Sequence, residues 1–184
     1  FPRVSRESVL LTLCLALIVG LAVAVRILPY NWGYQISEFD PYFHYDVTEY
    51  IVKNGFPSWF TWHTDRAWYP QGRNIWSTSF PGLPFSSAFL YLFLTGIGLQ
   101  TTVYNACVAF PVIMAALTCI VIYYFGKEIG NRKAGLLAAL LLALNPAHIS
   151  RTSLGFFDTE NVGIFGFLLV FLFYLRSLDP NRKW

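Results

Sequence analysis

The chain has 184 residues, of which 55% are hydrophobic and only 12% are charged. Soluble domains carry about 25% charged residues, so a water-soluble fold of this composition would expose large apolar patches. The composition therefore predicts a multi-pass membrane protein. The formal net charge of +3 is small, and we expect no nucleic-acid partner.

Taken in chain order, the apolar segments predict four membrane spans and one helix that lies at the membrane surface. The spans are placed at 8–28, 102–125, 134–149 and 161–175. The segment 82–99 contains two serines, follows Pro-Gly-Leu-Pro and ends in Thr-Gly-Ile-Gly, which favours an interfacial helix. A fifth short span there would fit the hydropathy as well. The first segment lacks a small-residue cleavage pattern, so we expect a retained span.

Basic residues indicate the orientation of these spans. Loops rich in Lys and Arg stay in the cytoplasm, and the chain has three basic clusters: Arg3/Arg6, Lys127/Arg132/Lys133 and Arg176/Arg182/Lys183. An even number of crossings must then separate the clusters. Residues 29–100 become a long external loop and residues 150–160 a short loop on the same side of the membrane.

The long external loop is rich in Trp, Tyr and Pro and contains one clear helix signal. A carboxylate followed by proline, as in Asp40-Pro41, is typical of a helix N-terminus. We expect this helix to extend to Lys53.

Acidic residues at the external face are the main candidates for chemistry. Asp158 and Glu160 would project to the same side of an extended segment, and the topology places Asp40 on the same membrane face. Carboxylates suit a hard cation such as Mg²⁺ or Mn²⁺, and Arg151 suits bidentate binding of a phosphate. Each also has a structural explanation: Asp158 could begin the last helix, and Arg151 could anchor a helix end.

Cysteine and histidine do not indicate a zinc site. The three cysteines lie in apolar runs without metal-ligand spacing, and we expect all three to be core residues: Cys14, Cys107 and Cys119. The three histidines are scattered, and we expect them at the interface or in the core: His44, His63 and His148.

Several longer stretches, in one order, resemble the catalytic subunits of oligosaccharyltransferases, which are multi-pass C-type glycosyltransferases. They are "SEFDPYFHY", "RAWYPQGR", "SFPGLPF" and "GKEIGNRKAGLLAALLLALNPAHISRTSLGFFDTEN". The similarity extends from Arg26 to about Leu178. It implies an all-α helical bundle that lies in an archaeal cell membrane or an endoplasmic reticulum membrane, with its active site on the external or lumenal face.

The resemblance also implies a reaction and its participants. Family members transfer a preassembled oligosaccharide from a polyprenyl (dolichol-type) phosphate or pyrophosphate to the Asn amide of an Asn-x-Ser/Thr sequence. The implied partners are this lipid-linked oligosaccharide, the acceptor polypeptide, membrane lipid and further oligosaccharyltransferase subunits. The implied cofactor is Mn²⁺ or Mg²⁺.

The same resemblance assigns roles to four residues. Asp40 and Asp158 match metal-binding aspartates, and Asp40 is also implied to contact the acceptor amide. Arg151 matches an arginine that holds the carrier phosphates. Glu160 matches an acidic residue that either contacts the metal, directly or through water, or helps to place the carrier phosphate.

The sequence departs from the family pattern in two respects, and two other interpretations compete with the resemblance. Family members continue through further spans, a later glutamate and a Trp-Trp-Asp motif that 1–184 lacks, so we expect this N-terminal portion to be inactive alone. Asp46 stands where many relatives have a basic residue. A protein O-mannosyltransferase-like enzyme is one rival, and a cation transporter is the other, although a transporter would place its charges at mid-membrane depth.

Overall fold

The computed structural model describes residues 5–178. Within this part of the chain the protein has eight α-helices: α1 (Arg6–Ile27), α2 (Phe39–Asn54), α3 (Ile75–Thr78), α4 (Gly82–Gly96), α5 (Val103–Ile129), α6 (Arg132–Ala143), α7 (Pro146–Thr152) and α8 (Glu160–Ser177). Two 3₁₀ helices, at Leu28–Trp32 and Phe56–Phe60, and one antiparallel pair of short strands, β1 (His63–Thr64) and β2 (Arg73–Asn74), complete it. The predicted all-α architecture is confirmed.

Helix α5 is the centre of the bundle, and α1, α6 and α8 pack around it. Its buried side chains form the main hydrophobic core together with Ile36, Leu83 of α4, Leu154 and Phe157. Helix α1, in contrast, buries only Ala22 and Arg26. The prediction that Cys14 is a core residue is therefore wrong, because it lies on the exposed side of α1; Cys107 and Cys119 are buried as expected.

Three helices, α1, α5 and α8, are long and apolar enough to cross a membrane. The segment predicted as a span at 134–149 consists of two helices, α6 and α7, that meet at 62°, and its crossing of the membrane stays a prediction. Asn145 accepts a hydrogen bond from the His148 N–H as the cap of α7, and Pro146 follows it. Proline removes a backbone donor and disfavours helical geometry in the residue before it, which favours a break at this point. If the α6–α7 pair counts as one span, the described helices supply up to four spans by length and composition.

Helix α4 is shorter than the predicted 82–99 segment. Its 15 residues extend about 22 Å at 1.5 Å per residue, less than the roughly 30 Å of a bilayer core. It packs against α2 and α5. The interfacial position of α4 stays a prediction.

Contacts bring members of two predicted basic clusters to one end of the bundle. Arg132 Nη1 donates to Ser8 Oγ over 3.3 Å, and Arg176 Nε donates to Glu128 Oε1 over 2.8 Å. These bonds join the start of α1, the α5–α6 turn and the end of α8. Three members of the predicted basic clusters lie outside the described residues: Arg3, Arg182 and Lys183.

Helix α2 begins slightly earlier than predicted. Its N-cap is Glu38, whose φ of 72° and ψ of 170° are unusual for a residue with a side chain. Asp40 consequently lies inside the first turn instead of capping the helix. Its carboxylate is left to face the space beside the helix.

Candidate functional site

Three of the residues predicted for the site line one small cavity at the end of the bundle opposite the basic clusters. Asp40, Arg151 and Asp158 border a space of about 140 Å³. Helix α2 contributes Asp40, α7 contributes Arg151, and the segment between α7 and α8 contributes Asp158. The other lining residues are Glu38, Phe39, Pro41 and Phe156.

The segment that carries Asp158 is held by hydrogen bonds to other elements. The Gly155 N–H donates to the Val108 carbonyl of α5, and the Gly155 carbonyl accepts from the Ser37 N–H, both over 3.0 Å. Gly155 has a φ of +84°, and a β-carbon there would collide with the Gln35 carbonyl. Only glycine fits without strain. Gly155 thereby joins the residues just before α2 to the residues just before Asp158.

A buried aromatic ring supports the same segment. Phe157 is fully buried and packs edge-to-face on Phe110 of α5, with 5.6 Å between ring centres. Ile36 and Leu154 belong to the same core cluster. The apolar neighbours of Asp158 thus anchor the loop, and the carboxylate faces the cavity.

The Asp158 carboxylate accepts hydrogen bonds from two residues at Oδ1. His44 Nε2 lies 3.3 Å from this oxygen, and the Thr159 N–H donates to it over 2.6 Å. The bond from His44 is the main reason that the pKa of Asp158 lies below its ordinary value, and it outweighs the opposite effect of burial. Asp158 is therefore a carboxylate at neutral pH.

Glu160 contacts Arg151 and is absent from the residues that line the cavity. Its Oε1 lies 3.6 Å from Arg151 Nη1, and its Oε2 is buried without a hydrogen-bond partner in the described residues. The expected extended geometry of this segment is wrong, because Thr159 has helical backbone angles and Glu160 already starts α8. Arg151 also lies over the Phe156 ring at 5.2 Å.

Asp40 borders a second, larger cavity of about 430 Å³ on the other side of α2. Here the Arg73 guanidinium lies between the Phe43 and Trp68 rings, 4.1 and 4.5 Å from their centres. Burial lowers the pKa of Arg73, and the charge of Asp40 opposes that shift. Asp46 forms a 2.8 Å ion pair with Arg66 at this cavity, so an acid at position 46 has a local basic partner.

The donor set at the smaller cavity is chemically suited to Mg²⁺ or Mn²⁺, since Asp40 and Asp158 offer carboxylate oxygens. Within residues 5–178, however, no group of three or more His, Cys, Asp or Glu side chains is arranged to hold a metal ion. The described residues therefore fit part of a divalent-ion site and would need further ligands from substrate, water or other protein segments.

Two features of the site were missed by the sequence reasoning. His44 was expected only at the interface or in the core, whereas its Nε2 contacts Asp158. The signal was available, because Asp40 and His44 are four residues apart on one helix and therefore face the same way. The left-handed Gly155 carries no such signal, because many loops contain glycine.

Comparison with known proteins agrees with this architecture. Residues 9–183 match the family model described as the N-terminal part of the oligosaccharyl transferase STT3. The dolichyl-diphosphooligosaccharide–protein glycosyltransferase subunit STT3B of Oryza sativa subsp. japonica is 39% identical over 96% of this chain and 24% of its own length. The STT3 subunit of Saccharomyces cerevisiae is 36% identical over 93% of this chain and 24% of its own length.

A solved structure shares the fold. The archaeal oligosaccharyltransferase AglB from Archaeoglobus fulgidus, in complex with an inhibitory peptide and a dolichol-phosphate, superposes with a TM-score of 0.79 at 21% identity. The match covers 96% of this chain and 21% of that one. This chain is a multi-pass membrane protein and spans about a quarter of the length of the curated relatives it matches.

Proposed function

Because the chain belongs to the STT3 family of oligosaccharyltransferases, we propose that it forms part of the active site of an enzyme that glycosylates asparagine. The donor is an oligosaccharide on a polyprenyl (dolichol-type) phosphate or pyrophosphate, and the acceptor is the amide of an Asn-x-Ser/Thr sequence. The observation that carries the proposal is the shared cavity of Asp40, Arg151 and Asp158, three charged residues from three separate segments.

The two aspartates are proposed to hold the cofactor. Asp40 and Asp158 would bind Mn²⁺ or Mg²⁺, which when bound neutralises negative charge on the departing phosphate. His44 and Thr159 occupy Oδ1 of Asp158, and this fixes the direction in which the carboxylate presents its other oxygen.

Arg151 is proposed to bind the carrier phosphate. Its guanidinium is half exposed beside the cavity, where it can donate two parallel hydrogen bonds to phosphate oxygens. Glu160, 3.6 Å away, would orient the guanidinium, which favours the phosphate-placing role of Glu160 over direct metal contact. Arg151 lies in the last turn of α7, and the carrier headgroup would lie beside this helix end.

Asp40 is proposed to act also on the acceptor. An amide nitrogen is a weak nucleophile because its lone pair is delocalised into the carbonyl. A carboxylate that accepts hydrogen bonds from the amide NH₂ group makes the nitrogen more electron-rich, provided that it does so in the transition state. Asp40 borders both cavities, so it can contact an acceptor on one side while it shares the smaller cavity with Asp158.

The test is transfer activity of a full-length family protein that carries this sequence. It would be assayed with a lipid-linked glycan, an Asn-x-Ser/Thr peptide and Mn²⁺. We expect Asp40→Ala and Asp158→Ala to lower kcat/KM by on the order of 10²–10³-fold. Asp65→Ala is the matched control, because Asp65 is an exposed external aspartate that pairs with His63. Full turnover in Asp158→Ala, or cation flux without glycopeptide in the wild type, would contradict the proposal.

A further inference from the structure

Arg26 is a buried cation near the external end of α1. Its side chain is 0% exposed, and all of its hydrogen-bond partners among residues 5–178 are neutral groups. Burial of an arginine is costly unless its donors are satisfied. The proposed chemistry does not use Arg26, so its position calls for a separate explanation.

The guanidinium joins three helices. Nε donates to Thr152 Oγ1 of α7 over 2.7 Å, and Nη1 donates to the carbonyls of Ala22 in α1 and Ala143 in α6, each over 3.0 Å. Nη2 lies 2.8 Å from His148 Nδ1. Because a guanidinium has donors only, this nitrogen must accept, which fixes a neutral imidazole with its proton on Nε2.

These contacts cap the broken helix. Ala143 is the last residue of α6, and the turn into Asn145 and Pro146 removes the helical N–H groups that would otherwise bond the final carbonyls. The negative ends of the α1 and α6 dipoles both point toward this site. The guanidinium supplies a donor to the last of these carbonyls, that of Ala143, and so contacts the 62° break between α6 and α7 from inside the bundle.

The backbone of Arg26 completes the connection to the active-site segment. Its carbonyl accepts the Leu154 N–H over 2.9 Å, while its side chain binds Thr152. Thr152 directly follows Arg151, and Leu154 leads into the Gly155 junction. Arg26 thus binds the chain on both sides of Ser153, yet it is not among the residues that line the cavity.

We propose that Arg26 is a positioning residue for the carrier-phosphate site, because it fixes α7 in the orientation that turns Arg151 toward the cavity. This inference rests on the phosphate-binding role proposed for Arg151. Arg26 is expected to affect binding of the lipid-linked glycan donor and not of the acceptor peptide, since the Arg26 side chain contacts α7 and not α2.

The experiment uses the full-length protein in detergent with Mn²⁺ and measures dissociation constants by calorimetry. Farnesyl pyrophosphate is the donor probe, and an Asn-x-Ser/Thr peptide is the acceptor probe. Arg26→Met is expected to weaken farnesyl pyrophosphate binding by on the order of 10–100-fold, as removal of a supporting residue does at other sites. Thr152→Val, which keeps the side-chain volume, should weaken it by about fivefold. Peptide binding should stay within about twofold of wild type in both variants.

Two variants separate positioning from general stability. Arg176→Met removes a half-buried arginine that pairs with Glu128 at the opposite end of the bundle, and it should leave farnesyl pyrophosphate binding unchanged. Arg26→Lys keeps the charge but not the fork of donors, so it should restore the folded yield without restoring the affinity.

Unchanged farnesyl pyrophosphate affinity in Thr152→Val and in any folded Arg26 variant would overturn the inference. Equal weakening of both probes would overturn it as well. If neither Arg26 variant folds, Thr152→Val decides alone. In one outcome, the Arg26 and Thr152 variants weaken farnesyl pyrophosphate binding as expected while the wild-type protein transfers no glycan. That outcome would contradict the proposed function and support the inference, so the two failures are distinguishable.

Discussion

Asp40 and Asp158 line the same cavity, but different contacts hold the backbone on which each stands. The Asp158 segment is buried and tied by hydrogen bonds to α1, α5 and the chain before α2. Asp40 lies exposed in the first turn of α2, and the hydrogen bonds within that helix hold its backbone. One half of the site therefore depends on tertiary contacts and the other on local structure. Distant substitutions should therefore damage the Asp158 half far more.

The largest effect is expected for Gly155→Ala. The added methyl group would meet the Gln35 carbonyl at a φ that disfavours alanine, so the Asp158 segment must move or the strain must be retained. We expect a loss of about 3 kcal/mol in stability and loss of transfer activity. Thermal unfolding in detergent measures the first effect.

Gly163→Ala is the control for this substitution. Gly163 lies in α8 with no atom within 4 Å of an added β-carbon, and alanine is favoured over glycine in a helix by about 1 kcal/mol. Equal unfolding temperatures for the two variants would show that the Gly155 junction does not hold the site together.

His44→Phe should have the next largest effect. It removes the contact that lowers the pKa of Asp158 most, while it keeps a ring of similar size. We expect the affinity for Mn²⁺ to fall by on the order of 10–100-fold. His44→Gln, which retains a donor, should lose less, and a pair of variants with identical Mn²⁺ titrations would exclude this role for the imidazole.

Glu38→Gly tests the Asp40 half, where local conformation dominates. Glu38 has a φ of 72° and a ψ of 170°, a region that glycine adopts readily and other residues occupy at a cost of about 1 kcal/mol or more. We expect the variant to unfold at a higher temperature. A lower unfolding temperature would show that contacts of the Glu38 side chain outweigh its backbone strain.

The smallest effect is expected for Glu160→Gln. The 3.6 Å pair with Arg151 is partly exposed on both sides, and such pairs contribute about 0.2–1 kcal/mol. The KM for the lipid-linked donor should rise by up to about fivefold, with Mn²⁺ affinity unchanged. A tenfold loss of Mn²⁺ affinity would instead identify Glu160 as a metal ligand.

Local chemistry in the sequence was enough to predict the long helices and to select the charged candidates for the site. Runs of apolar residues marked α1, α5 and α8, and Asp40-Pro41 marked the start of α2 to within two residues. Their success follows from the fact that hydropathy and capping act over a few residues.

Features that depend on tertiary contacts could not be predicted in this way. The 134–149 segment reads as one apolar run, yet Asn145 and Pro146 break it and Arg26 caps the break from another helix. Glu160 points away from the predicted direction because Thr159 has helical backbone angles. The sequence Asp-Thr-Glu does not indicate whether this segment is helical or extended.

A double-mutant cycle on Mn²⁺ affinity can establish whether Asp40 and Asp158 share one divalent ion, as proposed. Mn²⁺ binding to the full-length protein would be followed by electron paramagnetic resonance in wild type, Asp40→Ala, Asp158→Ala and the double variant. If both carboxylates bind the same ion, each single variant weakens binding and the double variant loses less than the sum of the two free-energy changes. Strictly additive losses, or a single variant with wild-type affinity, would contradict a shared ion.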